Sequence, residues 1–199
     1  MTLVLAIKSE NSVVLASDKR SFDIGTPSLH YNDNAIKIFQ INDIVAVGGA
    51  GDGYDCKLIV DLVLAEKKIS KMSFEDVLSL LSDKARQKQA EWYTEENKML
   101  MKLGVIQKPQ YGFLMVGIGY DKKTKIFSFS DTDHTPHEVF EQFCSIGITD
   151  ICNYIFSEEY NEKMTLDDIK KLATKGIEGT AKISTAVSNK FDLIEIEAK

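Results

Sequence analysis

Aliphatic residues run unbroken over positions 3–7 and again over 13–16, and the five residues between them, Lys8-Ser9-Glu10-Asn11-Ser12, are polar. Two short apolar runs around a polar break read as a β-hairpin. Residues 35–41, the turn Asn42-Asp43 and residues 44–47 repeat the pattern. Runs this continuously apolar belong to strands covered on both faces. Residues 113–119 and 125–130, joined by Tyr120-Asp121-Lys122-Lys123-Thr124, predict a third hairpin. Residues 139–145 read as a further strand on a fainter pattern, and 190–196 as a last one, whose second half alternates as a half-exposed strand does.

Elsewhere the apolar spacing is helical. Asp52 is placed to cap a helix over 53–68, apolar over much of its surface through Leu58, Ile59, Val60, Leu62, Val63 and Leu64. Ser73, with Asp76 three residues on, opens a second helix that carries Val77, Leu80, Leu81 and Ala85. From 86 to 102 the pattern turns polar except at Trp92, Met99, Leu100 and Met101. An extended helical segment around 86–105 is therefore expected to project beyond the core or turn back on itself. Residues 151–157 start another helix, and Thr165 with Asp168 caps the last long one, with Ile169, Leu172, Ala173 and Ile177 on its buried stripe. Strands and helices alternating in blocks give two sheets, each needing helices on its outer face. The fold class expected is α+β, a four-layer αββα sandwich of two antiparallel sheets covered by helices on both outer faces. No Gly/Ser- or Pro-rich linker, repeat or low-complexity tract interrupts it, so one domain over 1–199 is expected.

Composition narrows the function. With 199 residues, 44% hydrophobic and 27% charged, the chain has enough material for one sizeable core. A formal charge of −6 argues against a nucleic-acid surface and for protein or peptide partners. Cys56, Cys144 and Cys152 are odd in number and form no C-x-x-C pair, which points to buried thiols in a reducing cytoplasm. The run 3–7 is too short for a signal-peptide core, and no apolar run is long enough to span a membrane, so the mature chain is expected to start at or near Met1.

Thr2, the hairpin ending in Ala16-Ser17-Asp18-Lys19-Arg20, the strand Lys37-Ile38-Phe39-Gln40-Ile41, and the turn Gly48-Gly49-Ala50-Gly51-Asp52 into a helix follow one another in a specific order. Together, over nearly the whole chain, they resemble a proteasome β-subunit of the N-terminal nucleophile hydrolase superfamily. The chemistry is coherent without the family. A threonine hydroxyl is a poor nucleophile, but an N-terminal threonine carries its own base, an α-amine with a reference pKa of about 7.7 to 8.0. A nearby lysine ammonium lowers that pKa and stabilises developing negative charge, and it needs a carboxylate to stay charged when buried. The resemblance implies Thr2 as nucleophile and base, Lys37 and Asp18 as the ion pair, and the Gly48 N–H as oxyanion donor, worth roughly 3 kcal/mol in the transition state. It further implies a peptide lying as an added strand along Arg20, Ser21 and Phe22 and along Gly48, Gly49 and Ala50. Ser21, Ala46 and Ala50 then line a first specificity pocket, roomy because all three are small.

Two segments depart from the family. Where active β-subunits carry a serine in a glycine-serine turn, this chain reads Cys144-Ser145-Ile146-Gly147-Ile148-Thr149, with Gly147 or Ile148 at the matching position. Where they carry an aspartate and a serine before the last strands, it reads Ile183-Ser184-Thr185-Ala186-Val187-Ser188, with Ser184 and Val187 at those positions. Ser145, Thr149, Ser184, Thr185 and Ser188 are the hydroxyls available as substitutes. The second segment also resembles the corresponding loop of the bacterial ATP-dependent peptidase related to the proteasome. Three functions fit: a threonine peptidase, a peptide ligase using the same acyl-enzyme, and a non-catalytic structural or regulatory homologue. The partners implied are a peptide or unfolded protein, further copies of the chain closing into a ring with 86–102 at a subunit contact, and an ATPase or other regulator. A small second residue suits removal of Met1 by methionine aminopeptidase, with no propeptide.

Other chemistries fit less well. The glycine turn follows a strand and opens a helix, yet it holds no G-x-G-x-x-G and no Gly-Lys-Ser/Thr, and Asp52 puts a carboxylate where a phosphate would sit. His134 and His137 in Asp131-Thr132-Asp133-His134-Thr135-Pro136-His137 match no strong zinc spacing, and Pro136 breaks any helix that would aim both rings together. No metal or cofactor is expected.

Overall fold

Two antiparallel sheets lie face to face in the computed structural model, which describes residues 2–22, 31–106, 108 and 110–198; Met1, whose removal the resemblance calls for, lies outside these. The first sheet has the order β10 (Phe143–Gly147), β1 (Leu3–Lys8), β2 (Ser12–Asp18), β11 (Phe191–Glu197). The second runs β5 (Ile38–Asn42), β6 (Val45–Gly51), β7 (Tyr111–Ile118), β8 (Thr124–Ser130), β9 (His137–Glu138). A small ribbon of β3 (Ser21–Phe22) and β4 (Tyr31–Asn32) follows β2.

Strand parity builds the layers, because successive side chains point to opposite faces. Val4, Ala6, Val13 and Leu15 pack on Ile38, Ala46, Leu114, Val116 and Ile126 between the sheets. Leu3, Leu5, Ile7, Val14 and Ala16 face outward onto α4 (Asp150–Glu159) and α5 (Leu166–Ile183) through Phe156, Ile169, Leu172 and Ile177. Val45, Val47, Phe113 and Met115 face the other way, onto α1 (Gly53–Leu64) and α2 (Phe74–Trp92) through Ile59, Val63, Val77 and Leu81. Both strands of the first hairpin are buried on both faces, as their unbroken apolar runs require. Each large aliphatic or aromatic side chain buried in these layers stabilises the fold by about 1.5–3 kcal/mol relative to exposure. The architecture is the αββα sandwich that the order of elements predicts.

Three local expectations are revised. The first helix stops at Leu64, and a short 3-10 turn at Ile69–Lys71 follows. The segment 86–102 is two helices: α2 ends at Trp92, and α3 (Glu95–Lys102) restarts from Thr94, whose hydroxyl accepts the Asn97 N–H at 3.1 Å. A residue able to cap a new helix competes with continuing the old one. Residues 139–145 do not form one strand. The chain pairs briefly with β8 as β9, then crosses to the other sheet and pairs with β1 as β10. Among the described residues no helix is long and apolar enough to cross a membrane.

Candidate active site

The pairing Val4↔Ser17 sets the start of β1 beside the end of β2. Thr2, just before β1, is only 7% exposed. Its carbonyl accepts the Ile148 N–H at 2.9 Å. Gly147 backs directly onto the same carbonyl with φ +93°, and a Cβ there would lie 1.8 Å from the Thr2 oxygen. Only glycine adopts that backbone without strain and leaves that space.

Asp18 is fully buried and organises the site. Its Oδ1 accepts the Leu3 N–H at 2.9 Å and the Lys37 ammonium at 2.7 Å; its Oδ2 accepts the N–H groups of Arg20 at 2.9 Å and Ser188 at 3.2 Å. Four donors, one of them a cation, supply the compensation a buried carboxylate needs. Lys37, from the residue before β5, is 8% exposed. Burial pulls its ammonium below the ordinary lysine value, opposed by the charge and hydrogen bond of Asp18. One carboxylate oxygen therefore joins the Thr2–Leu3 peptide to a buried lysine.

A cleft of about 550 Å³ opens from this point, lined by Thr2, Lys37, Ser21, Phe22, Phe39, Gly49, Gly51, Tyr54 and Cys56 among others. Thr2, Lys37, Ser21, Phe22 and Gly49 are thus brought together as the sequence suggests. Gly48, Ala46 and Ala50 are not, which corrects the expected pocket. Ala46 and Ala50 pack between the sheets, and a Cβ on Gly48 would sit 2.6 Å from Val4 Cγ1. On β6 the even positions face the other sheet, so Gly49 is the residue on the helix and cleft side, where a Cβ would meet Cys56 Cβ at 2.9 Å. Its N–H donates to the Lys37 carbonyl at 2.9 Å. Burial pushes the Cys56 thiol up to about 12.

Arg20 contributes to the site from behind. Its guanidinium forks onto Asp33, with Nε to Oδ1 at 2.7 Å and Nη2 to Oδ2 at 2.8 Å. Nη1 donates to the Thr185 carbonyl at 2.6 Å, and the group lies 4.3 Å over the Tyr31 ring. Of the five candidate hydroxyl residues, only Ser188 reaches Asp18, and it does so through its backbone N–H. Its hydroxyl accepts the Lys190 N–H at 3.1 Å. Ser145 donates to Asn153 Oδ1 at 2.6 Å, Ser184 ends α5 and accepts the Ala186 N–H at 3.3 Å, and Thr149 stands at the start of α4 without a side-chain cap bond. Val187 is buried against α5 and the first sheet. Phe39, Gly51, Tyr54, Cys56 and Asp33 were not anticipated. Phe39 alone carried a signal, two residues beyond Lys37 on one strand face.

The glycine turn and the histidines take ordinary roles. Asp52 caps α1, accepting the N–H groups of Tyr54 at 3.0 Å and Asp55 at 3.1 Å. His134 bonds Gln89 and stacks on Tyr111, while His137 pairs with Asp133 at 2.8 Å. Among the described residues no three potential ligands converge on a metal site.

Comparison with known proteins gives the family and the fold. The family described as proteasome subunit matches residues 2–196. A proteasome subunit beta 1 of Thermococcus sibiricus is 30% identical over 182 residues, covering 91% of this chain and 79% of that protein. A proteasome subunit beta 2 of Pyrococcus furiosus is 29% identical, covering 88% and 77%. A proteasome subunit alpha of Thermococcus sibiricus is 25% identical, covering 98% and 70%. Among solved structures, a chain of the helical assembly of the Anbu complex from Pseudomonas aeruginosa superposes with a TM-score of 0.80 at 15% identity, covering 98% of this chain and 81% of that one, a likeness of fold.

Proposed function

The chain belongs to the proteasome subunit family, and from that premise we propose that it is a threonine peptidase acting through Thr2. The observation that carries this reading is Asp18 Oδ1, which holds the Leu3 N–H and the Lys37 ammonium together at the cleft that Thr2 lines. That arrangement is what an N-terminal nucleophile requires and what a solvated strand end has no need to build.

In the proposed reaction, removal of everything before Thr2 frees its amine. The amine takes the proton from Thr2 Oγ1 as the oxygen attacks a peptide carbonyl, and Lys37 stabilises the developing negative charge. The amine then gives the proton to the departing peptide nitrogen as the C–N bond breaks, leaving an ester on Thr2. Water, deprotonated by the same amine, hydrolyses the ester and restores the threonine. The Gly49 N–H at the cleft is engaged by the Lys37 carbonyl, so the charge that meets the developing oxyanion is that of the Lys37 ammonium. The substrate lies extended beside Ser21, Phe22 and Gly49, and its first side chain meets Phe39, Tyr54 and Cys56, which suits a large apolar residue. A soluble cytoplasmic homo-oligomer, ring-closed and served by an ATPase or other regulator, is the setting in which such a site would act.

A second reading, a non-catalytic subunit, is favoured by Gly147. It puts a bare backbone against Thr2 where active relatives are expected to carry a serine hydroxyl. A threonine-directed epoxyketone or β-lactone separates the two. Intact-mass and peptide-mass analysis of protein beginning at Thr2 should find one adduct on Thr2, none in Thr2→Ala, and a slower one in Thr2→Ser, which keeps hydroxyl and amine. No adduct on protein with a free Thr2 amine would leave the non-catalytic reading.

A further inference from the structure

The chain lacks a carboxylate at 184, but it places one at the site from elsewhere. Asp33, on the segment just before Lys37, receives both ends of the Arg20 fork. Arg20 in turn spans three pieces of chain. Its side chain holds Asp33 and the Thr185 carbonyl, and its backbone N–H holds Asp18 Oδ2. Ser188, three residues beyond Thr185, donates the other N–H to the same Oδ2. The carboxylate that fixes Lys37 is thus held on its far oxygen by two donors, one from Arg20, which Asp33 grips, and one from the loop that Arg20 holds at Thr185.

We propose that Asp33 is a positioning residue of the Thr2 site, a carboxylate that locks Arg20 and the 185–188 loop behind Asp18 and neutralises the guanidinium beside the Lys37 ammonium. The inference rests on the peptidase reading for its consequence in catalysis, but the network itself does not depend on that reading. Two effects act together. Mechanically, a bidentate Arg–carboxylate pair fixes both groups in orientation as a single hydrogen bond does not. Electrostatically, Arg20 disfavours a second cation nearby, and Asp33 cancels it. The charges bearing on Lys37 are Asp18 from the end of β2, Asp33, and Arg20; Asp52 and Lys57 line the same cleft from the start of α1. The Arg20 guanidinium also holds the Asp33 carboxyl below the usual carboxylate range, so Asp33 stays charged throughout the working pH range.

The sign follows from the charges. Replacing Asp33 by Asn leaves Arg20 uncompensated, so the Lys37 ammonium should lose its proton at lower pH. Removing Arg20 as well should return the midpoint toward the original value. A purely structural role for Asp33 predicts no such rescue.

The test is the Lys37 titration in full-length protein labelled with 13C,15N-lysine, followed at Cε and Nζ and assigned by its absence in Lys37→Met. Asp33→Asn should lower the midpoint by about half a pH unit or more. Asp33→Glu should stay near wild type, and the Arg20→Gln/Asp33→Asn double variant should recover at least half of the shift. An unchanged midpoint in Asp33→Asn, or no recovery in the double variant, would overturn the proposal. If Asp33→Asn does not fold, a double variant whose midpoint matches wild type supports the proposal, and one displaced as far as Asp33→Glu is not counts against it. In parallel, the basic limb of the rate of epoxyketone adduct formation should move down in pH with the Lys37 midpoint. Absence of any adduct in wild type would sink the peptidase reading alone, because the lysine titration is read without it.

Discussion

Gly147 shows how one residue can be written by its neighbour. Its φ of +93° and the 1.8 Å between a hypothetical Cβ and the Thr2 oxygen mean that alanine must move either β10 or Thr2. Backbone strain of this kind costs about 1–3 kcal/mol before the clash is counted. Gly147→Ala should therefore lower the urea midpoint by a corresponding amount and slow Thr2 modification more than general destabilisation does. The Lys37–Asp18 pair makes a second prediction. Lys37→Met leaves Asp18 buried without its cation and should cost about 3–5 kcal/mol in chemical denaturation, whereas pairing it with Asp18→Asn should recover part of the loss. The pH dependence has a definite sign. The folded Lys37 value lies below the ordinary 10.5, so between the two values the unfolded chain binds more protons and stability contributed by this group rises with pH. Stability curves of wild type and Lys37→Met over that window should diverge as pH increases, wild type gaining on the variant; parallel curves would mean that Lys37 is not depressed.

Elements were legible in proportion to how strongly their ends were marked. α5 begins with a capping box, Thr165 and Asp168 bonding each other's backbone N–H, and the two residues announced it in the sequence. Thr165→Ala should cost about 1 kcal/mol by thermal or urea unfolding, and an unchanged midpoint would mean that packing of Leu172 and Ile177 alone fixes the helix start. β6 was legible as a strand but not in parity. Val45 and Val47 meet helices and Ala46 and Ala50 meet the other sheet, so both faces read as apolar. Gly48 and Gly49 have no side chains to break the tie. A doubly covered strand carries no alternation, which is why the pocket was assigned one residue out of phase. The break between α2 and α3 and the crossover between β9 and β10 were missed for a related reason. Each depends on where the chain goes next, not on the polarity of the residues that make it.

At the scale of the molecule, the layer order was readable because blocks of hairpins and helices leave few ways to bury both faces of two sheets. Thr2, Asp18 and Lys37 were readable through the order of motifs that carries the resemblance; the Asp33–Arg20 strut was not, because its two residues lie 13 positions apart and meet only in three dimensions. The same distinction applies to assembly. α3 buries none of its residues, yet Met99 is 62% exposed and Leu103 and Val105, just beyond it, are 64% and 65% exposed. Apolar side chains gathered on a short helix that adds nothing to the core suit a contact with another subunit. Light scattering at micromolar concentration should give a mass several times the 22.3 kDa of one chain. Met99→Lys/Leu103→Lys should shift it toward smaller species with little change in melting temperature, since substitutions at exposed positions rarely alter stability by more than about 0.5 kcal/mol. A monomeric wild type would remove the assembly from the proposed function, and an unchanged mass in the double variant would move the contact to another face, away from α3.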